Sequence, residues 1–479
     1  MALLNARVSR REFLLGISAL PYALAAASEM PASTPMTLNL APLRARFKGD
    51  LIVTGDALYE TARLTNNRVF DRHPLLIARC VDADDVARCL DFARTRSLPI
   101  AVRSGGHCQA GRSSCDGGVV IDLSRLDKIA VAPAAARVSC GPGVRVYQAN
   151  EAMVKHGLAL PLGICGDVGV AGLTLGGGYG YLLGVAGLAC DSLIGADVVL
   201  ADGRIRTITE DSDSDLMWAL RGAGANFGIV TALHFKAFRV GEIFAGSQVF
   251  PKGSAHDVAA LANECAANLP DELTMFTDIT TLPDGSTNPQ ISMCWSGDVR
   301  QGRQVIDKFT TAAIKPSKDS LKVTNINELV GRGEGTDGLS CVRYGEVAGK
   351  LSPQGLQILL DPQNPPAVVR AVTMDALHGA ATRRKKSASA APNYSPGFGT
   401  GYLVFWKDPK ITADAVAWTN SAWAAVHPFT QAAYVNMLGD ESAERVREAY
   451  GDNYPRLAKL KAKYDPDNVF RLNQNIKPA

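Results

Sequence analysis

The sequence predicts an α+β protein built from two domains. A chain of 479 residues is too long for one ordinary hydrophobic core. Its first half alternates short apolar runs with helical patterns, and its glycines cluster in loops between them. Near Val240 the glycine clusters thin out, and helical and alternating patterns mix. These observations predict a first domain over 51–240, a second over 241–429 and a separate C-terminal segment over 430–479.

The first domain opens with a predicted strand–helix–strand unit. Residues 75–80 form an apolar run typical of a buried strand, and the acidic residues at 82–85 can cap a helix whose apolar face holds Val86, Leu90 and Ala93. A second strand at 100–103 runs directly into a glycine loop. Further strands are predicted at 119–123, 137–140 and within 227–238, and further helices at 144–156, 213–221 and 443–450.

A hairpin is predicted around Asp202-Gly203. An apolar run at 193–200 precedes this pair, and a second run at 205–209 follows it. Asp-Gly between two apolar runs is a strong signal for a tight turn between antiparallel strands.

The N-terminus resembles an export signal. Arg10 and Arg11 precede an apolar run at 13–27 that ends in small residues, as in a twin-arginine signal peptide. The alternative is a membrane anchor, but the run is short and Pro21 interrupts it. We therefore expect a signal over 1–27, a Pro/Ser/Thr-rich linker over 28–50 and ordered structure from about Leu51. The twin-arginine export machinery is an expected partner, and the periplasm or the exterior is the expected location.

Composition excludes some partners and leaves others open. A net charge of +3 is small for this length, so electrostatics give no case for nucleic acid as a partner. No run after the signal reaches membrane-spanning length, so we expect no stable membrane insertion of the mature chain. The ten cysteines show no metal-binding spacing, and we expect no metal site. Cys108 and Cys115 are close enough in sequence to form a disulfide, which the sequence alone leaves open.

A glycine loop at 103–107 is the first candidate binding motif. It reads Arg-Ser-Gly-Gly-His and follows a strand. Two glycines in succession allow neighbouring backbone N–H groups to face one anion, such as the diphosphate of a dinucleotide. Taken alone, the motif also fits an ordinary loop with a surface histidine.

A second motif at 169–180 holds six glycines in twelve residues. Such density is costly in conformational entropy, and close approach of the backbone to a flat or charged ligand would explain it. The spacing matches neither the Rossmann fingerprint nor a P-loop, which needs a lysine after its last glycine. Cys165 lies just upstream and is either a buried cysteine, a nucleophile or an attachment point.

Together these motifs resemble the berberine bridge enzyme-like flavoproteins of the vanillyl-alcohol oxidase/p-cresol methylhydroxylase FAD-binding superfamily. The similarity rests on Arg-Ser-Gly-Gly-His at 103–107, Gly-Ile-Cys at 163–165, Leu-Gly-Gly-Gly-Tyr-Gly at 175–180 and the Ala-Asp-Gly hairpin. Near the C-terminus, Tyr-Val-Asn at 434–436 and the stretches at 463–470 and 473–476 also look like the family's ending. The resemblance implies a two-part FAD-binding domain of the p-cresol methylhydroxylase type, which the segment 430–479 rejoins. It also implies a substrate domain with an antiparallel sheet covered by helices.

The resemblance also implies roles for single residues. His107 matches the residue that bonds to the flavin 8α-methyl carbon, and Cys165 the one that bonds to C6, so the cofactor is expected to be covalent FAD. Tyr434 matches a tyrosine that helps to deprotonate the substrate, and Val168 a position at the flavin edge where oxygen reacts. The cofactor-binding residues implied in this way are Arg103, Ser104, Gly105, Gly106, His107, Cys165, Val168, Gly169, Gly172, Thr174, Gly176, Gly177, Gly178, Gly180, Ile229, Val230, Asn436 and Asn473.

The expected activity is oxidation of a small organic substrate with molecular oxygen as the acceptor. Val168 is the side chain expected of an oxidase, whereas the alternative is a dehydrogenase that uses a quinone or a protein. A non-catalytic flavin-binding protein is the alternative outside the enzymes, and Tyr434 argues against it. Met437 departs from the family's second aromatic residue. The expected catalytic acid has no clear match, and Asp375 is the nearest candidate.

Overall fold

The computed structural model describes residues 38–310, 314–332, 339–385, 387–439 and 442–479. The predicted signal at 1–27 and the first part of the predicted linker, 28–37, lie outside these residues. Within the linker's last part, a short helix already forms at Ala41–Arg44, so regular structure begins earlier than the expected Leu51. The carboxylate of Asp85 accepts the backbone N–H groups of Lys48 and Gly49, which fixes this stretch. In the described part of the chain, no helix is long and apolar enough to cross a membrane.

A first, mostly parallel sheet leads into the glycine loop at 103–107. Its strands are β1 (Asp50–Ile52), β2 (Leu76–Arg79), β3 (Ile100–Arg103) and β4 (Val119–Asp122). Their order is β1-β2-β4-β3, with β4 parallel to both of its neighbours. The helix between β2 and β3 begins at the cap Asp82, whose side chain accepts the N–H of Asp85. The predicted strand–helix–strand unit is confirmed.

A second, antiparallel sheet holds the predicted hairpin. Its five strands pair in the order β5-β6-β10-β8-β9. The short strands β7 and β11 pair with each other in a separate two-stranded sheet. Gly203 has φ +86° at the Asp-Gly turn, a conformation that glycine adopts without strain. The strands are β5 (Ile129–Ala132), β6 (Arg137–Cys140), β7 (Leu158–Ala159), β8 (Leu193–Val199), β9 (Ile205–Thr209), β10 (Ile229–Lys236) and β11 (Phe238–Arg239).

The third sheet is the largest and is built from residues after 240. Its order is β15-β12-β14-β13-β18-β19-β17-β20, with β16 paired to β12, and the pairings are antiparallel. The strands are β12 (Ile243–Val249), β13 (Leu273–Thr281), β14 (Thr287–Trp295), β15 (Lys318–Asp319), β16 (Lys322–Thr324), β17 (Leu339–Ala348), β18 (Val369–Leu377), β19 (Gly397–Trp406) and β20 (Ala432–Ala433).

Helices cover one face of the third sheet. α8 and α12 pack on it, and Met275 and Ile279 of β13 point into the core they share. The helices are α1 (Ala41–Arg44), α2 (Tyr59–Ala62), α3 (Ala83–Arg94), α4 (Val146–Val154), α5 (Val170–Leu175), α6 (Leu183–Ala186), α7 (Ser214–Ala223), α8 (Ala255–Cys265), α9 (Gly302–Thr310), α10 (Ile326–Val330), α11 (Pro353–Leu360), α12 (Thr412–Val426), α13 (Ala443–Tyr450) and α14 (Tyr454–Tyr464). The α+β class and the helix-covered antiparallel sheet are confirmed.

A buried ion pair anchors the C-terminal segment. Lys461 and Asp465 are both fully buried, with Nζ and Oδ2 2.6 Å apart. Lys461 also donates to the carbonyl oxygens of Asn226 and Phe470. Because each charge is hydrogen-bonded as well as paired, burial is tolerated, and the motif at 463–470 serves to hold α14 against the loop before β10.

Candidate active site

The loop after β3 presents backbone N–H groups that no described residue accepts. Gly106 has φ +74°, which turns the chain so that neighbouring N–H groups can point to one side. Among the described residues, the N–H groups of Gly105, Gly106 and His107 have no acceptor. Ser104 is committed elsewhere, since its hydroxyl donates to the carbonyl of Pro142 at 2.5 Å. The loop therefore has the form of an anion-binding cradle.

The two glycine motifs, distant in sequence, lie against each other. A Cβ on Gly105 would lie 2.4 Å from the backbone nitrogen of Gly169, and one on Gly169 would lie 2.5 Å from Ser104 Oγ. Arg145 holds the junction, because one guanidinium nitrogen donates to the carbonyls of both Gly105 (2.7 Å) and Asp167. Sequence reasoning gave Arg145 no role, and no motif marks it.

Most glycines of the second motif are explained by packing within the protein. A Cβ on Gly180 would lie 1.6 Å from the carbonyl oxygen of Leu162, and one on Gly176 2.0 Å from Asn436 Oδ1. Gly177 and Gly178 have φ of +116° and +79°. Gly172, on α5, is different because a Cβ there meets nothing within 4 Å. The prediction that contact with a ligand explains the high glycine content of this motif is therefore too broad. Gly172 is the position that faces open space.

His107 pairs with a carboxylate that sequence reasoning left without a role. His107 Nε2 lies 3.1 Å from Asp167 Oδ2. Burial lowers the pKa of His107 and Arg145 lowers it further, whereas Asp167 opposes both effects. The imidazole is thus favoured in its neutral form, which is the form with a free lone pair.

Cys165 lies two residues before this carboxylate. Cys165 is exposed to solvent at one side. The protein around the rest of the residue desolvates its thiol and raises the pKa of that thiol to about 11. Val168 follows, half-buried, with its carbonyl accepting the N–H of Val146 at 3.0 Å. The contact of His107 with Asp167 therefore brings the histidine to the segment that holds Cys165 and Val168. Cys108 and Cys115 are both free thiols, so the disulfide left open above does not form.

Tyr434 reaches the glycine-rich loop from the C-terminal segment. Its hydroxyl oxygen accepts the N–H of Gly178 at 3.0 Å and the amide Nδ2–H of Asn436 at 2.9 Å. Asn436 also donates to the carbonyl of Leu173. Burial raises the pKa of the Tyr434 phenol, and the two donors act against that shift because they stabilise the phenolate.

The face of the third sheet opposite α8 and α12 contributes a second group of side chains. Phe276 pairs with Asp375, and Asp278 with Thr373, in the register between β13 and β18, so these four residues share a face. Asp375 Oδ2 accepts the hydroxyl of Tyr179 at 2.9 Å, and the Tyr179 ring lies 4.9 Å from that of Tyr434.

This contact places Asp375, the candidate catalytic acid, next to Tyr179 of the glycine-rich motif. Asp278 was missed altogether, and burial raises its pKa to about 6. The sequence gave no signal for Asp278 because its position depends on the strand register.

The other predicted site residues are held within the protein. Arg103 is buried and donates through Nε and Nη2 to Asp122, so its guanidinium is committed to a structural ion pair. Ile229 and Val230 are buried within β10. Asn473 donates to two backbone carbonyls, but its Oδ1 is buried and has no hydrogen-bond partner among the described residues. The buried hydroxyl oxygen of Thr174 likewise has no hydrogen-bond partner among them.

Comparisons with known proteins agree with this site. A family model described as an FAD binding domain matches residues 74–209, and one described as berberine and berberine-like matches 433–477. The chain is 29% identical to (R)-6-hydroxynicotine oxidase of Paenarthrobacter nicotinovorans, covering 90% of this chain and 97% of that protein. It is also 29% identical to an uncharacterized FAD-linked oxidoreductase of Bacillus subtilis, covering 91% of this chain and 98% of the relative. The chain thus carries an FAD-binding domain and a berberine-like C-terminal domain, and it is similar to FAD-linked oxidoreductases along most of its length.

Solved structures of such oxidoreductases share the fold. The crystal structure of 6-hydroxy-D-nicotine oxidase from Arthrobacter nicotinovorans has a TM-score of 0.82 at 25% identity, covering 92% of this chain and 99% of that one. Chitooligosaccharide oxidase has a TM-score of 0.79 at 22% identity, covering 90% and 98%, a likeness that concerns the fold alone. The p-cresol methylhydroxylase type of FAD-binding fold is confirmed.

The site of this oxidoreductase suits FAD. The unaccepted N–H groups of 105–107 fit diphosphate oxygens, and the open face at Gly172 leaves room for a flat group. The buried Asn473 Oδ1 needs a hydrogen-bond donor, which ribityl hydroxyls and the flavin imide N–H can supply. When bound, FAD supplies the acceptor for a hydride, chemistry that protein side chains cannot perform alone.

Proposed function

We propose that this enzyme is an exported oxidase whose FAD is held by two covalent bonds, through His107 and Cys165. The observation that carries the proposal is the contact between His107 and Asp167, which brings the histidine to the segment that holds Cys165, although the two residues lie far apart in sequence. The family resemblance assigns them to the 8α carbon and to C6, which lie on the same edge of the flavin ring. Two attachment points fix the ring without using contacts that a substrate needs.

Tyr434 is proposed as the base. Oxidation of a hydroxyl, amine or hemiacetal carbon requires the attached group to lose a proton as the C–H bond breaks. An isolated phenol has a pKa of about 10 and is a weak base at neutral pH. Burial raises the pKa of the Tyr434 phenol, and the N–H donors from Gly178 and Asn436 oppose that shift because they stabilise negative charge on the phenolic oxygen. These two donors support the proposed role.

The substrate is proposed to lie between Tyr434 and the face of the third sheet opposite α8 and α12. Tyr179, Phe276 and Asp375 line that side, so the space combines aromatic surface with a carboxylate. An alcohol, a hemiacetal sugar or another secondary metabolite suits such a lining. The relatives named above, which oxidise hydroxynicotine or are named for chitooligosaccharides, support small organic substrates as the class.

Oxygen is proposed as the final acceptor. Val168 supports this, because a short β-branched side chain leaves room beside the flavin edge. A broad substrate panel in air tests the proposal through hydrogen peroxide, which should form in proportion to substrate oxidised. Bleaching of the flavin without rapid reoxidation would favour a dehydrogenase, and no bleaching with any substrate would favour a flavin carrier.

Covalent attachment has a direct test. Acid-precipitated protein should remain yellow and keep the added mass of the flavin, and His107→Ala and Cys165→Ala should each leave one bond. Release of all flavin from the wild-type protein would contradict the covalent assignment.

Export through the twin-arginine route is proposed from Arg10 and Arg11, which lie outside the described residues. Replacing both by lysine should retain the precursor in the cytoplasm. Unchanged export of that variant would exclude this route.

A further inference from the structure

Asp167 makes a contact with His107 that binding of a cofactor does not require. We infer that Asp167 is a positioning residue that prepares His107 for attachment to the flavin. This inference rests on the proposed function, since it assumes that His107 forms the covalent bond. It goes beyond it by assigning the reactivity of the histidine to a second residue of this chain.

The geometry of the pair is fixed from both sides. His107 Nε2 and Asp167 Oδ2 are 3.1 Å apart, and both side chains are largely shielded, with exposed fractions of 19% and 24%. Arg145 donates to the backbone carbonyl of Gly105, which lies two residues before His107, and to the backbone carbonyl of Asp167 itself. The contact between Gly105 and Gly169 sets the spacing of the two loops. Neither partner can move far without breaking this junction.

The hydrogen bond selects one tautomer of the histidine. A carboxylate at Nε2 accepts the Nε2–H, which leaves the lone pair on Nδ1. Burial lowers the pKa of the imidazole, and the nearby Arg145 cation acts in the same direction, so the neutral form predominates. The same logic applies to histidines that bind metals, where a carboxylate on one nitrogen orients the ring and raises the basicity of the other.

The carboxylate also serves the bond-forming step. His107 Nδ1 forms a bond to the 8α carbon as that carbon loses a proton, and the imidazole becomes positively charged. Asp167 stabilises this charge until the Nε2 proton leaves as well. With FAD bound, the step would release two protons and two electrons in all, and molecular oxygen, the acceptor in the proposed function, would take up both to form hydrogen peroxide.

The test uses Cys165→Ala as the parent, so that His107 is the remaining route of attachment. Asp167→Asn keeps the shape of the side chain and removes its charge, whereas Asp167→Glu keeps the charge. The proteins are purified after equal expression times. Total flavin is measured before denaturation, and covalent flavin is measured by intact mass after acid precipitation.

We expect Asp167→Asn to lower the covalent fraction by about tenfold or more, as loss of an orienting carboxylate behind a histidine typically does. Total flavin should stay close to that of the parent, and Asp167→Glu should recover most of the covalent fraction. The control is Asp361→Asn, because Asp361 lies 3.1 Å from His256 Nε2 on the surface. It should leave both quantities unchanged.

The outcomes separate the two claims. A parent without covalent flavin would overturn the assignment of His107 in the proposed function. A parent with covalent flavin and an equally loaded Asp167→Asn variant would overturn the inference alone. A variant that loses total and covalent flavin together would show that Asp167 serves to bind the cofactor or maintain the fold, which also overturns it.

Discussion

The flavin-binding loops and the third sheet contribute to the same site in different ways. The loops do so through contiguous residues, as at 105–107, where Gly106 has a φ of +74° and Gly105 lies against the backbone of Gly169. The sheet does so through side chains such as Asp278 and Asp375, which come together only because β13 and β18 pair in one register. The first kind of contribution leaves a mark in the sequence, whereas the second does not.

Within the loops, glycines have two distinct roles. Gly180 is required because the backbone of Leu162 occupies the space of a Cβ, while Gly172 borders open space. A glycine-rich motif therefore does not by itself indicate ligand contact at each of its positions. Substitutions at these two glycines test that distinction with the largest expected effect.

Gly180→Ala should prevent normal folding. Its new methyl group would lie 1.6 Å from Leu162 O, and backbone cannot yield as a flexible side chain can. We expect a loss of about 3 kcal/mol or more in the free energy of unfolding, measured by urea titration.

Gly172→Ala is the matched variant, and it should keep or slightly raise stability, because alanine favours the helix by roughly 1 kcal/mol. If a ligand packs there, its flavin content should fall. Equal stability losses in the two variants would remove the distinction between packing and ligand-facing glycines.

The seam between the two regions holds a buried histidine, His378. Both of its ring nitrogens lack a hydrogen-bond partner among the described residues, and its ring meets Gly184 of α6. Burial lowers the pKa of His378 to about 4, with Asp271 and Arg383 as the nearby charges. Since the unfolded value is about 6.5, the unfolded chain binds the proton more readily. Stability is therefore highest above pH 6.5 and falls as the pH drops towards 4, by roughly 3 kcal/mol in total.

His378→Leu should remove most of this pH dependence between 6.5 and 4, as measured by urea midpoints across that range. The exposed His156 offers the control, because His156→Gln should leave the dependence as in the wild type. An unchanged profile in His378→Leu would assign acid sensitivity to other groups.

Two tyrosines of the site, Tyr434 and Tyr179, allow the flavin-binding loops and the third sheet to be compared. Tyr434 accepts two N–H donors, whereas Tyr179 donates to Asp375 of the sheet. We expect Tyr434→Phe to slow flavin reduction by about a hundredfold, as for loss of a general base, while folding and flavin content are retained. Rapid mixing with saturating substrate measures it. Tyr179→Phe is the matched control, and a larger loss in that variant would place the base on Tyr179.

Much of the first domain could be predicted from the sequence because its signals are local. The cap at Asp82, the Asp-Gly turn and the strands leading to 103 and 119 all lie where their residue patterns place them. The early helix at Ala41–Arg44 was missed, and the stretch that follows it is fixed by Asp85, which is distant in sequence.

The site divides in the same manner. His107, Cys165, Val168 and Tyr434 could be assigned from motifs, and the structure brings them to adjoining loops. Asp167 lies between the Gly-Ile-Cys and glycine-rich motifs and was given no role, because its importance comes from its contact with His107 on another loop. Of the carboxylates of the third sheet, Asp375 was named as the nearest candidate acid and Asp278 was missed, since a one-residue change in register would turn either side chain to the opposite face.

The smallest effect is expected at Val168, on the loop side. Its backbone is fixed by the hydrogen bond from Val146, so a longer side chain must extend into the neighbouring space rather than shift the loop. One added methylene in a confined space costs about 1 kcal/mol, which corresponds to roughly fivefold in rate. Val168→Ile should therefore slow reoxidation of the reduced flavin by oxygen by that factor, and flavin reduction by substrate should stay unchanged.

Stopped-flow mixing of reduced enzyme with oxygen measures the rate of reoxidation, and anaerobic mixing with substrate measures the rate of flavin reduction. Val168→Ala, which enlarges the space, serves as the control and should reoxidise at least as fast as the wild type. Equal reoxidation in all three proteins would mean that oxygen does not approach past this residue.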